Sequence, residues 1–117
     1  MRYTYTNMTR RSALLATAGA ATALTIVQGN DQSAHVSTKL PKSLIVAVTD
    51  KYGNGITGVT VPFTDNGAGG TFSTTTPVTN AHGQATVTYT TPPQTGTVTI
   101  DASYSTLTPA AFTETID

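Results

Sequence analysis

Leu44-Ile45-Val46-Ala47-Val48-Thr49-Asp50-Lys51-Tyr52-Gly53-Asn54-Gly55 is the stretch that decides the fold. Its first half is apolar at Leu44, Val46 and Val48, and again between them at Ile45 and Ala47. Successive strand side chains point to opposite faces, so both faces of this segment are greasy and it reads as a central strand. Its second half is a turn, where Asn and Asp tolerate tight backbone and Gly supplies positive φ. The same period of two recurs outward from it. Val59, Val61 and Phe63 alternate with Thr60, Pro62 and Thr64; Ala85, Val87 and Tyr89 with Thr86, Thr88 and Thr90; Val98, Ile100 and Ala102 with Thr97, Thr99 and Asp101. Each of these has one apolar and one polar face, the mark of a half-buried antiparallel strand.

Weaker strands are expected over 24–28, 35–40, 71–75 and 111–116. Thr makes up about a quarter of the 117 residues, and its branched Cβ suits strands and disfavours helices. No window after Ala23 shows the i, i+3, i+4, i+7 recurrence of an amphipathic helix. Turn signals separate the strands at Lys51–Gly55, Asp65–Gly70, Asn80–Gly83 and Pro92–Gly96. Many short strands at near-regular spacing read as a sandwich, in which two layers cover each other's greasy faces.

Composition excludes several functions. Only 10% of residues are charged, and six basic residues balance six acidic ones. A nucleic-acid partner is excluded, because counterion release needs a basic surplus. Zinc ribbons, disulfide scaffolds and thiol enzymes need Cys, and there is none.

The beginning of the chain differs from the rest. Arg2, Arg10 and Arg11 precede a small-residue, mildly apolar run from Ser12 to Ala20, then Ala21-Thr22-Ala23. That is the layout of a secretory signal with an A-x-A cleavage site. Thr9-Arg10-Arg11-Ser12 before Ala13-Leu14-Leu15 resembles a twin-arginine export signal, with Ala13 where Phe is usual. The run is too short for the ~20 apolar residues of a membrane span. A linker or remnant stays open as the other reading, since Tyr3-Thr4-Tyr5-Thr6 looks like Phe112-Thr113-Glu114-Thr115. The chain therefore divides into an export signal or remnant linker, 1–23, and one domain, 24–117.

Three stretches carry a resemblance to a known family: Gly29-Asn30-Asp31-Gln32-Ser33-Ala34, then Leu44 through Val61, then Thr79-Asn80-Ala81-His82-Gly83-Gln84-Ala85-Thr86-Val87. In order and at domain spacing, they resemble the bacterial immunoglobulin-like domains of the invasin and intimin type (Big family, first class). The resemblance implies an immunoglobulin-like sandwich without the central disulfide, used as a spacer in bacterial surface adhesins. Three positions depart from the pattern. Gly55 stands where the family usually has Pro, and His82 where Asn or Asp is common. Pro62 interrupts a strand and is expected at an edge or unpaired position, because it cannot donate to a ladder.

No constellation for catalysis, cofactor or metal emerges, and no ligand-binding residue is assigned. His35 and His82 are far apart without companion ligands. Asp50 with Asn54 lacks the ligand spacing of a calcium loop and reads as an Asp capping its own turn. Asp65–Gly70 lacks the Lys and helix of a phosphate loop and reads as a flexible connection. The many hydroxyls lack a base and an orienting group. A sandwich hydrolase, a remote third class, has His82 as its main candidate residue. Tyr52, Tyr89 and Tyr104 could form a sugar platform, but Tyr89 fits the core and Tyr52 a turn. The expected function is a non-catalytic, exported spacer or adhesin-type module, with neighbouring immunoglobulin-like domains as partners. Its alternative is recognition of carbohydrate or a host surface protein through end loops such as Lys51–Thr57.

Overall fold

A computed structural model describes residues 21–117. Among the described residues there is no helix. Nine strands follow in order: β1 (Ala23–Gln28), β2 (Ser33–Ala34), β3 (Leu44–Thr49), β4 (Phe63–Thr64), β5 (Thr71–Phe72), β6 (Gln84–Val87), β7 (Tyr89–Thr90), β8 (Gly96–Ala102) and β9 (Ala110–Ile116). One sheet has the order β1-β3-β6, the facing sheet β2-β9-β8-β4, and β5-β7 form a small third pair. The doubly apolar β3 is central in its sheet, as its sequence requires. Leu44, Val46 and Val48 are fully buried there, while Ile45 and Ala47 are half-buried on the other face.

Between the sheets lie Leu24, Leu44, Val46, Val48, Ala85 and Val87 from one layer and Phe63, Val98, Ile100, Ala102, Phe112 and Ile116 from the other. Phe63, Phe72, Phe112 and Tyr89 form a chain of tilted ring contacts, with centroids 4.8–6.2 Å apart. The result is an immunoglobulin-like sandwich with no disulfide.

Several details differ from the sequence reading. The sandwich is not wholly antiparallel, since β2 runs parallel to β9. Residues 35–40 form no named strand but run along 89–92, with a bridge between Lys39 and Thr90 and backbone bonds from Ser37, Leu40 and Thr91 N–H, and the edge strand is Ser33–Ala34 instead. The 71–75 strand is cut to two residues because its continuation turns to line 59–63. There Phe63 N–H donates to Thr75 O, Val61 N–H to Pro77 O and Thr79 N–H to Val59 O. Pro62 is exposed just before β4, its carbonyl accepting from Ser103 N–H beyond the end of β8. Its missing donor is therefore harmless.

The segment 1–20, with its export-signal reading, lies outside the described residues. β1 opens at Ala23, paired with Thr49, and Thr22 N–H already donates to Thr49 O. Thr49 leads into the 50–55 turn, whereas Ile116 pairs with Ala34 and Gly96, and Asp117 meets His35. The two ends of the described chain thus sit at opposite poles of the sandwich.

Candidate functional site at the two poles and the crossover

The N-terminal pole is made of two self-capped turns packed backbone to backbone. Asp50 Oδ1 accepts from Tyr52 N–H (2.8 Å) and Asn54 N–H (3.0 Å). The Asn54 N–H, foremost, holds the Asp50 carboxyl below the usual carboxylate range. Asn80 does the same in the second turn, its Oδ1 accepting from His82 N–H (2.8 Å) and Gln84 N–H (3.1 Å). Gly55 lies directly against the His82 carbonyl, and Gly83, at φ +77°, against Gly55 and Ile56. Neither position has room for a Cβ, so glycine is the residue that lets the turns touch. Buried Thr79 ties this pole together: its hydroxyl donates to Ile56 O (2.7 Å) and accepts from Val59 N–H (2.9 Å). What faces outward is Tyr52, 69% exposed, with Lys51 Nζ 5.1 Å from its ring centre, and the exposed His82.

The C-terminal pole repeats the device with buried Thr91. Its hydroxyl donates to His35 O (2.6 Å) and accepts from Thr38 N–H (2.9 Å). The backbones of Ser37 and Pro92 close the same junction. At the tip, His35 Nδ1 lies 3.0 Å from Asp117 Oδ1, with both side chains mostly in solvent. Such an exposed pair adds little stability.

Between the poles, the chain crosses from one sheet to the other at Gly29–Gln32. A bulge between Ile26 and Gln28 bends β1 toward the crossing. Gly29, at φ +103°, lies so close to Leu44 and the Ser43 carbonyl that no side chain fits. Asn30 Oδ1 accepts from Thr113 N–H (2.9 Å) on β9. The Gln32 amide clamps two segments, donating to Gly29 O and Lys42 O (both 2.9 Å) and accepting from Lys42 N–H (2.8 Å). Gln32 N–H in turn donates to Glu114 Oε1 (2.8 Å). Glu114 is wholly buried between Phe112 and Ile116, and among the described residues its second oxygen has no partner. Burial raises its carboxyl to about 7, against the Gln32 hydrogen bond and with the Asp31 charge.

The residues singled out in the sequence are dispersed by the fold. His35 and His82 stand at opposite poles. Asp50 caps its own turn, as read. Tyr89 is buried and Tyr52 exposed, while Tyr104 is half-buried beside the core. They form no common platform. The glycine-rich loop is not slack: Asp65 Oδ2 accepts from Tyr89 OH (2.8 Å) and Gly70 N–H (2.9 Å), and Asn66 Nδ2 donates to Thr99 O (2.9 Å). Burial, then Asp65, raises the Tyr89 phenol, which stays protonated. Glu114 was the residue missed by sequence reasoning. Its signal was present, since Ala110, Phe112, Glu114 and Ile116 share one strand face. Among the described residues, no three His, Cys, Asp or Glu side chains gather to hold a metal ion. Nor is any helix there long and apolar enough to cross a membrane.

The family described as bacterial Ig-like domain (group 1) matches residues 39–115. No curated protein matches the chain. Among solved structures, the D00–D0 fragment of intimin is similar, with a TM-score of 0.60 and 23% identity over 80% of this chain and 46% of that one. Domains 4 and 5 of the S-layer protein SbsC align with a TM-score of 0.62 and 19% identity, over 82% and 51%. The Escherichia coli adhesin FdeC aligns with a TM-score of 0.56 and 16% identity, over 79% and 29%. This chain spans about half the length of the first two structures.

Proposed function

Because the chain belongs to the bacterial Ig-like domain (group 1) family, we propose that it is a non-catalytic extracellular module, a spacer or adhesin-type domain of a bacterial surface or secreted protein. The observation that carries this reading is the placement of the two ends of the described chain at opposite poles of the sandwich. A domain so built lengthens whatever it is inserted into, with neighbouring immunoglobulin-like domains as its partners at the poles. The resemblance to intimin, SbsC and FdeC supports it as a likeness of fold. Its surface of hydroxyls with few charges limits nonspecific attraction. An antibody raised against the module should label intact producing cells or their medium. Labelling only after lysis would overturn the extracellular assignment.

A second reading is favoured by one observation, the exposed Tyr52 beneath Lys51 at the N-terminal tip. An aromatic face with an adjacent cation suits carbohydrate or a host protein surface. A glycan array and a pulldown with the chain and its Tyr52→Ala variant separate the readings. Binding lost in the variant establishes recognition, and equal binding by both removes Tyr52 from it.

A further inference from the structure

We propose that the free edge of β1 pairs with the β1 edge of a second copy of this chain, joining two sandwiches about a twofold axis at Thr25. β1 is the outer strand of its sheet, in the order β1-β3-β6. Antiparallel neighbours exchange bonds at alternate residues. Val48 N–H donates away from β1, to Gly83 O, and Val48 O accepts from Ile56 N–H. β3 therefore turns its bonds toward β1 at Ala47 and Thr49, whose register partners are Thr25 and Ala23. The N–H and C=O groups of Leu24 and Ile26 are left facing outward, away from β3. Among the described residues, no backbone bond outside the β1–β3 pair involves them. Such a row of donors and acceptors takes an extended strand as its occupant.

This edge is unguarded. From Ala21 to Asn30 there is neither a charge nor a proline, the devices by which an edge strand ordinarily refuses a partner. Other edges are closed or short. Asn80 and Ser73 bond the outer side of β6 at Gln84 and Thr88. Pro77 sits in the segment that lines 59–63, and β2 is two residues long. The occupant is a second copy because β1 is complementary to itself. With Thr25 on the axis, Leu24 of each copy exchanges main-chain bonds with Ile26 of the other, so every outward group of both residues is used. An axis at Leu24 would call on Thr22 N–H, which is spent on Thr49 O, and an axis at Ile26 on Gln28, beyond the bulge. Exposed Thr25 then meets its twin, a favourable cross-strand pair. Ala23 stands opposite Val27 of the second copy, so a side chain 48% exposed in the single copy gains an apolar neighbour. The joined modules run in opposite directions, as copies meeting from facing surfaces would. That use rests on the adhesin-type reading, whereas the pairing itself does not.

Sedimentation of the full chain over a concentration series tests the pairing. The contact is small, so the mass should rise with concentration from one copy toward two. Thr25→Lys and Thr25→Glu, at an exposed position, should each hold the single-copy mass, because like charges would face each other across the axis. An equimolar mixture of the two variants should regain the doubled mass. The chain has no cysteine, so one introduced thiol reports the register. Residues paired on the axis stand about 4.5 Å apart, within disulfide reach. Thr25→Cys with oxidised glutathione should therefore give a linked dimer, and Thr86→Cys on the covered edge of β6 should not. A single-copy mass at every concentration up to about 1 mM would overturn the pairing and leave the edge to another extended segment. A dimer indifferent to Thr25→Lys would overturn it as well. None of these results bears on where the protein resides, which antibody labelling decides separately.

Discussion

Glu114 is the residue whose chemistry departs most from its surroundings. Its ordinary value is 4.5 and its folded value about 7, so between these pH values the folded state holds a proton that the unfolded chain has released. Stability therefore falls as pH rises through that window, by an amount on the order of a few kcal/mol. Asp50 acts in the opposite sense. Its lowered value gives stability that is present above the ordinary carboxylate range and is lost as pH falls below it. Thermal melts across pH should thus show a mildly acidic optimum, and Glu114→Gln should flatten the neutral-side decline. An unchanged decline in that variant would remove Glu114 from the account. Thr79 gives a second prediction. Thr79→Val keeps the shape but strands Ile56 O and Val59 N–H, and should cost about 1–3 kcal/mol in denaturant unfolding.

At the level of elements, the turn at Gly55 makes the sharpest prediction. Pro is usual there in the related domains and would ordinarily restrict the unfolded chain to advantage, by ~0.4–1 kcal/mol. Here the His82 carbonyl occupies the space a Cβ would need. Gly55→Ala and Gly55→Pro should both lower the melting temperature, with overpacking worth ~1–3 kcal/mol. A stabilised Pro variant would mean that the two polar turns are not packed as described. The same contrast explains what the sequence made legible. β3, β6 with β7, β8 and β9 were readable because alternation is local to each strand. β2 was not, since Ser33–Ala34 becomes a strand only by lying beside Thr115 and Ile116. The loop 65–70 looked slack because its anchor, the Tyr89 hydroxyl, is far along the chain. At the candidate site, the Asp50 and Asn80 caps could be read from their own turns. Glu114 shared the inward register of Phe112, yet a carboxylate is expected outside because burying its charge is costly.

For the whole molecule, the account makes the poles the places of connection and the body between them a strut. Two buried hydroxyls, at Thr79 and Thr91, each fasten one pole. One crossover holds the sheets in register between them. A domain whose ends were adjacent would add bulk to an array, whereas this one adds length. The most direct test is small-angle scattering from the full chain with a second copy of residues 21–117 joined directly after Asp117. The account predicts a rod whose greatest dimension approaches twice that measured for a single copy of residues 21–117. A fusion no longer than a single copy, its two sandwiches lying side by side, would contradict it.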